Sequence, residues 1–166
     1  MTAILTFRVD TPVGTLCGAS RDGALVACGY ADHWDHLVAR ATDRFPADEW
    51  RPGPSAAAAA VRAYVDGDLE AIDALAVDAV GTEFQQTVWA ALRTIPLGDT
   101  WSYQDLAEAI GNIGATRAVG TANGANPVSV VVPCHRVVRA DGSLGGYGGG
   151  LDRKAWLLAH EGARLA

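Results

Sequence analysis

The sequence is short of basic charge, of cysteine and of long apolar runs, and each shortage narrows what the chain can be. It carries 13 Lys or Arg against 19 Asp or Glu, a net charge of −6, and so lacks the basic excess of a protein that coats nucleic acid non-specifically. Its three cysteines, Cys17, Cys28 and Cys134, are an odd and widely spaced set, which argues against a disulfide framework and suits a reducing compartment. No apolar stretch approaches the roughly 20 residues of a membrane-spanning helix, and the amino terminus has neither the basic nor the apolar region of a secretory signal. A soluble, cytoplasmic protein with no membrane partner is expected. With 49% apolar residues over 166 positions, there is material for a core in one or two small domains.

A further absence is local. Between Ala109 and Ala140 there is no carboxylate, while Arg117, Arg136 and Arg139 are present, so the segment is locally +3. Residues 1–80 hold six Arg against twelve Asp or Glu, whereas residues 81–166 balance seven against seven. All the excess acid therefore lies in the first half. A solvated surface would also account for the basic segment, but the distribution leaves room for modest, salt-sensitive DNA affinity. The acidic character ends around Asp78–Gly81, and the expected domains are 1–80 and 81–166.

What is present reads as an α/β protein. Ala3 to Val9, Thr15 to Ala19 and Ala24 to Tyr30 are apolar stretches separated by Pro12-Val13-Gly14 and Asp22-Gly23 turns, the pattern of a small antiparallel sheet. Asp35–Phe45 and Ser55–Val65 read as helices, the second capped by Ser55, with Pro52-Gly53-Pro54 between them. A helix capped by Thr82 places Phe84, Val88, Trp89 and Leu92 on one buried face. A helix-turn-helix follows: Ser102 caps Tyr103 to Ile110, Gly111-Asn112-Ile113-Gly114 turns, and Ala115 to Asn123 forms a second helix of small residues. Ala118, Gly120 and Ala122 on that helix suit either close packing or approach to a narrow groove. The second domain is thus mostly helical. Cys17, Cys28, His33 and His36 match no compact zinc spacing, and no metal site is expected.

Pro133-Cys134-His135-Arg136-Val137 places a nucleophile, a proton acceptor and a cation between the β-rich Val128–Val132 and a glycine-rich loop, Gly145–Gly150. A thiol in apolar surroundings titrates high, so reactivity requires a partner that lowers its pKa or takes its proton. His135 is the nearest candidate. Side chains adjacent in a strand face opposite ways, so His135 serves Cys134 only across a backbone turn or through a water. A free cysteine ordinarily just packs, and the Cys-His dipeptide alone decides nothing.

The flanks decide more. Ser102-Tyr103-Gln104, Ala118-Val119-Gly120, Asn126-Pro127, Pro133 to Val137 and Gly146-Tyr147-Gly148-Gly149-Gly150, in this order and spacing, resemble the O6-alkylguanine-DNA alkyltransferases. The likeness is strong from about Gly81 to Gly162 and thinner before it, where Thr11-Pro12-Val13-Gly14 looks like the family's early turn.

The resemblance implies transfer of an alkyl group from O6 of guanine, and by extension O4 of thymine, in double-stranded DNA to Cys134. The thioether product is not released by water, so each monomer would react once, without a cofactor. His135 would act as base through a water, Glu161 in Ala159-His160-Glu161-Gly162 would orient it, and Asn126 would support the network. The helix 115–123 would enter the minor groove, with Arg117 filling the gap left by the extruded base. Tyr103 would contact the backbone and hydrogen-bond the purine, and Gln104, Asn112 and Asn123 match positions near DNA. Tyr147 would wall the pocket, the Gly148 N–H would donate to O6, and the carbonyls of Cys134 and Val137 would accept from the exocyclic amine. Some relatives carry serine at Gly148 and arginine at Gly124; the glycines would leave room for larger alkyl groups and weaken DNA binding, respectively.

Three other readings compete. A lesion-binding protein of the same fold typically has tryptophan in place of the cysteine, so Cys134 favours transfer. A cysteine hydrolase would want a separately placed histidine facing the thiol. A regulatory DNA-binding module would want more base-edge side chains than the helix 115–123 offers.

Overall fold

Three apolar segments punctuated by turn residues build the first part of the molecule. In the computed structural model, which describes residues 2–163, β1 (Ala3–Thr11), β2 (Gly14–Arg21) and β3 (Ala24–Tyr30) are joined as consecutive antiparallel hairpins. Asp22 and Gly23 take φ of 52° and 82°, as a two-residue hairpin turn requires. Thr11 Oγ1 closes the other turn, accepting from Val13 N at 3.1 Å and donating to Gly14 O at 2.6 Å. α1 (Trp34–Arg44) packs on β3, and the chain returns as β4 (Glu49–Pro52), parallel to β1. The sheet order is β3-β2-β1-β4. It is mixed rather than purely antiparallel as expected, because a short edge strand ending in proline carries little local strand signal. Ile4, Ala19, Val26, Ala27 and Leu37 form a core here, with Trp34, Phe45 and Trp50 against it. α2 (Ala56–Val65) begins where Ser55 Oγ accepts from Ala58 N at 3.1 Å; it buries Ala57, Ala58, Val61 and Tyr64 and contacts β1 and β2.

Residues 127–131 join this first unit, which otherwise ends at Val80. Cys28 N donates to Pro127 O at 3.0 Å and Ser129 N to Cys28 O at 2.8 Å. The β-rich segment expected over Val128–Val132 is not a strand: it makes only isolated bridges, Cys28↔Val128 among them, and turns with Val130 at φ 74°. Its four valines are all buried, and a run of buried valines does not by itself specify a pleated strand.

The second unit contains 81–126 and 132–163, and 164–166 of the expected second domain lie outside the described residues. Thr82 heads α3 (Glu83–Leu92) in a reciprocal cap: its Oγ1 accepts from Gln85 N at 3.2 Å and its N donates to Gln85 Oε1 at 2.9 Å. Val88, Trp89 and Leu92 are buried, but Phe84, expected on the same face, is 37% exposed. It lines an open groove with Gln85, Arg117 and the small side chains of Ala115, Ala118 and Thr121. β5 (Trp101–Ser102) leads into α4 (Tyr103–Ala109), capped by Ser102 with Asp105. Gly111 at φ 76° and a 3-10 turn, Ile113–Ala115, connect it to α5 (Thr116–Gly124), completing the helix-turn-helix. Trp89 Nε1 donates to Ala122 O at 2.9 Å and ties α3 to α5. β6 (Val137–Val138) pairs in parallel with β5, and α6 (Leu151–His160) ends the described chain.

Candidate active site

Pro133 is followed by a 3-10 turn over Cys134–Arg136, in which Arg136 N donates to Pro133 O at 3.0 Å. The turn removes the strand alternation that would have sent Cys134 and His135 to opposite faces. His135 is fully buried, with Nε2 2.8 Å from Glu161 Oε2. Arg136 forks onto the same carboxylate, Nε to Oε1 at 2.8 Å and Nη2 to Oε2 at 3.2 Å, and gives Nη1 to Ile95 O at 2.8 Å. Burial pushes the Glu161 carboxyl up, but the hydrogen bonds and positive charge of His135 and Arg136 outweigh it and hold the pKa at about 2. An ionised carboxylate only accepts, so His135 donates to it from Nε2, and in the neutral imidazole the free lone pair then lies on Nδ1. That Nδ1 is buried and bonded to no protein group among the described residues. A proton on that nitrogen would have a carboxylate already behind the ring.

Cys134 is 6% exposed, and burial pushes its thiol up. Four groups pull the other way: the Asn126 side chain, the Lys154 charge, and the backbone of Cys134 and His135. Asn126 is itself fixed by donating Nδ2 to Val132 O at 2.8 Å. Lys154 escaped the sequence reading. Its Nζ is buried, donating to Val137 O at 2.6 Å and Gly146 O at 3.1 Å, and burial depresses its pKa to about 8. The available signal was periodicity, since Lys154 stands three and four residues before the buried Leu157 and Leu158, on the inward stripe of α6.

Residues 83–163 match the family model described as 6-O-methylguanine DNA methyltransferase, DNA binding domain. Beyond that segment, the methylated-DNA-protein-cysteine methyltransferase of Mycolicibacterium paratuberculosis is 49% identical over 156 residues, 92% of this chain and 89% of that protein. The chain belongs to this family of cysteine methyltransferases. Solved relatives agree. The Mycobacterium tuberculosis O6-methylguanine methyltransferase is 38% identical, with a TM-score of 0.74 over 100% of this chain and 96% of that one. The M. tuberculosis OGT crystallised in complex with DNA is 40% identical, with a TM-score of 0.73 over 95% of this chain and 92% of that one.

The remaining residues singled out in the sequence of this methyltransferase differ in exposure. Arg117, Gln104 and Asn112 are exposed on α5, α4 and the connecting turn, as a surface role requires. Asn123, expected near DNA, is instead buried, with Nδ2 3.4 Å from Cys134 O; it supports the nucleophile's backbone because its position on α5 faces inward. Of the three small residues proposed for groove approach, Ala118 is exposed, Gly120 is half-buried, with its would-be Cβ position 3.5 Å from the Tyr103 ring, and Ala122 is buried. Tyr103 is half-buried, and burial pushes its phenol up. The Cys134 carbonyl already accepts from both Asn123 Nδ2 and Val137 N, and the Val137 carbonyl accepts from Lys154 Nζ. Tyr147 is half-buried, whereas a Cβ added at Gly148 or Gly124 would meet nothing within 4 Å, so both glycines leave open space. Among the described residues no cluster of His, Cys, Asp or Glu is placed to hold a metal, and no helix is long and apolar enough to cross a membrane.

Proposed function

We propose that this protein repairs DNA directly, moving an alkyl group from O6 of guanine to Cys134 and reacting once. The observation that carries the reading is the buried His135–Glu161 pair with Nδ1 bonded to no protein group among the described residues, set one residue from a thiol whose pKa burial raises. The thiol proton passes through a water to His135 Nδ1, and the imidazolium is stabilised by Glu161. The thiolate attacks the alkyl carbon in line; the S–C bond forms as the C–O6 bond breaks, and the electron pair leaves with the purine. Tyr103 donates a hydrogen bond to the purine as charge develops on it, and the Gly148 N–H serves O6. Lys154 holds the Gly146 loop to the Val137 carbonyl and offers the nascent thiolate a positive charge. Arg117 supports the extruded state of the nucleotide, with Gln104 and Asn112 as backbone contacts. The protein acts as a monomer in a reducing cytoplasm, and the open space at Gly148 admits alkyl groups larger than methyl.

The test is mass spectrometry of the intact protein and its peptides after incubation with a duplex carrying one O6-methylguanine. One methyl group on Cys134 with guanine restored is expected, and Cys134→Ser abolishes transfer while still binding the lesion. Tight binding without a mass change would make the protein a lesion sensor instead.

A further inference from the structure

The sequence counts three arginines in its carboxylate-free stretch, but the structure spends one of them internally: Arg136 is buried on Glu161 and Ile95. Arg117 and Arg139 are exposed, and among the described residues neither guanidinium is hydrogen-bonded to a protein group. Arg117 already has a part in the proposed function. Arg139 has none.

Its location is well fixed. The parallel register Trp101↔Val137 and Ser102↔Val138 runs directly into Tyr103 after β5 and Arg139 after β6, so the two residues leave the ladder side by side. Arg139 N then donates to Ser143 O at 3.0 Å and Gly142 N to Arg139 O at 2.9 Å, closing a tight turn. A Cβ built at Gly145 would stand 3.3 Å from Tyr103 Oη and 3.4 Å from Arg139 Cγ, so phenol and arginine stem flank the same point of the glycine-rich loop. Burial pushes the Tyr103 phenol up and the Arg139 charge pulls it back, which places that charge close by. The neighbouring carboxylate, Asp141, is engaged by Ser143 N at 2.9 Å and Ser143 Oγ at 2.6 Å. The Arg139 charge also helps to lower the Asp141 pKa, so that carboxylate is its near counter-charge, and the exposed guanidinium beside Tyr103 offers a planar fork that matches two phosphate oxygens.

We propose that Arg139 grips a backbone phosphate flanking the extruded nucleotide. The proposal rests on the DNA-repair reading above and adds to it a contact that positions the strand beside Tyr103. A phosphate suits the site better than a base edge, because an exposed loop arginine follows the outside of the strand, where phosphates lie.

The experiment measures single-turnover methyl transfer by wild type, Arg139→Gln and Arg139→Lys at several NaCl concentrations, on a duplex with one O6-methylguanine and on the free O6-methylguanine base. For Arg139→Gln the ratio of duplex to free-base rates falls about tenfold, as loss of a charge-assisted contact implies. The slope of log duplex rate against log salt becomes shallower by about one, and Arg139→Lys restores the slope. Replacing one flanking phosphate by a neutral methylphosphonate lowers the wild-type duplex rate and leaves Arg139→Gln no slower than before. An unchanged ratio and slope overturn the proposal, and so does an equal loss on both substrates, which would place Arg139 in the chemistry through Tyr103. Failure of the wild type on both substrates would instead overturn the repair function on which the proposal stands.

Discussion

Glu161 has two oxygens and serves His135 and both arms of the Arg136 fork, so its ionised state is the hinge of the site. Its carboxyl is held at about 2 in the fold against an ordinary 4.5, so the native state binds fewer protons than the unfolded chain between those values. Stability therefore rises with pH there: the contribution is fully present above about 4.5 and is lost as the pH falls through about 2. The span corresponds to on the order of 3 kcal/mol. Glu161→Gln removes this dependence and leaves Arg136 buried without its counter-charge, at a cost of roughly 3–5 kcal/mol near neutrality. Urea denaturation of both proteins from pH 7 to pH 2.5 should show a stability gap that narrows on acidification. Parallel curves would mean that Glu161 is not the group being titrated. The sequence alone pointed to Cys134, His135 and Glu161 through their motif, but that Arg136 shares the carboxylate is a fact of three-dimensional placement. Lys154 and Asn123 are further cases, one unnoticed and the other assigned to the surface, because facing inward depends on which side of a helix is covered.

Helix starts are the most local information in this chain. Ser55, Thr82 and Ser102 each accept a backbone N–H three residues on, and each was recognisable from its own sequence neighbourhood. Thr82→Ala should remove one half of the reciprocal cap and destabilise the protein by about 1 kcal/mol. The measurement is the urea midpoint at unchanged m-value; a shift of less than a few tenths of a kcal/mol would show that solvent replaces the cap without loss. Elements whose existence depends on distant partners were harder to read. β4 is a strand because β1 offers it an edge, and nothing within Glu49–Pro52 announces that pairing. Val128–Val132 looks like a strand because it is apolar, yet its hydrogen bonds include ones to Cys28, within its own turn and to the Asn126 side chain rather than a continuous ladder. Phe84 kept the period of a buried face but lies on an open groove.

At the scale of the molecule, a net charge of −6 must be reconciled with a polyanionic partner. Residues 1–80 carry the whole excess, while Arg117 and Arg139 are exposed cations of the second half. The reach of each contribution is set by the Debye length, about 10 Å at 0.1 M salt and about 30 Å at 0.01 M. Near physiological ionic strength the acidic excess is screened and short-range contacts govern, whereas at low ionic strength the net charge repels the duplex and slows encounter. Asp66, Asp68 and Glu70 test this because all three are exposed. Asp66 also stands at the carboxy-terminal end of α2, where a negative charge opposes the helix dipole, so its neutralisation does not cost the helix. The triple variant Asp66→Asn, Asp68→Asn and Glu70→Gln brings the net charge from −6 to −3. Its second-order rate of methyl transfer from duplex DNA should exceed wild type several-fold at 0.01 M salt and match it at 0.15 M. Equal rates at both concentrations would mean that local cations alone set the encounter rate, and a persistent difference at 0.15 M would place these carboxylates within direct reach of the DNA.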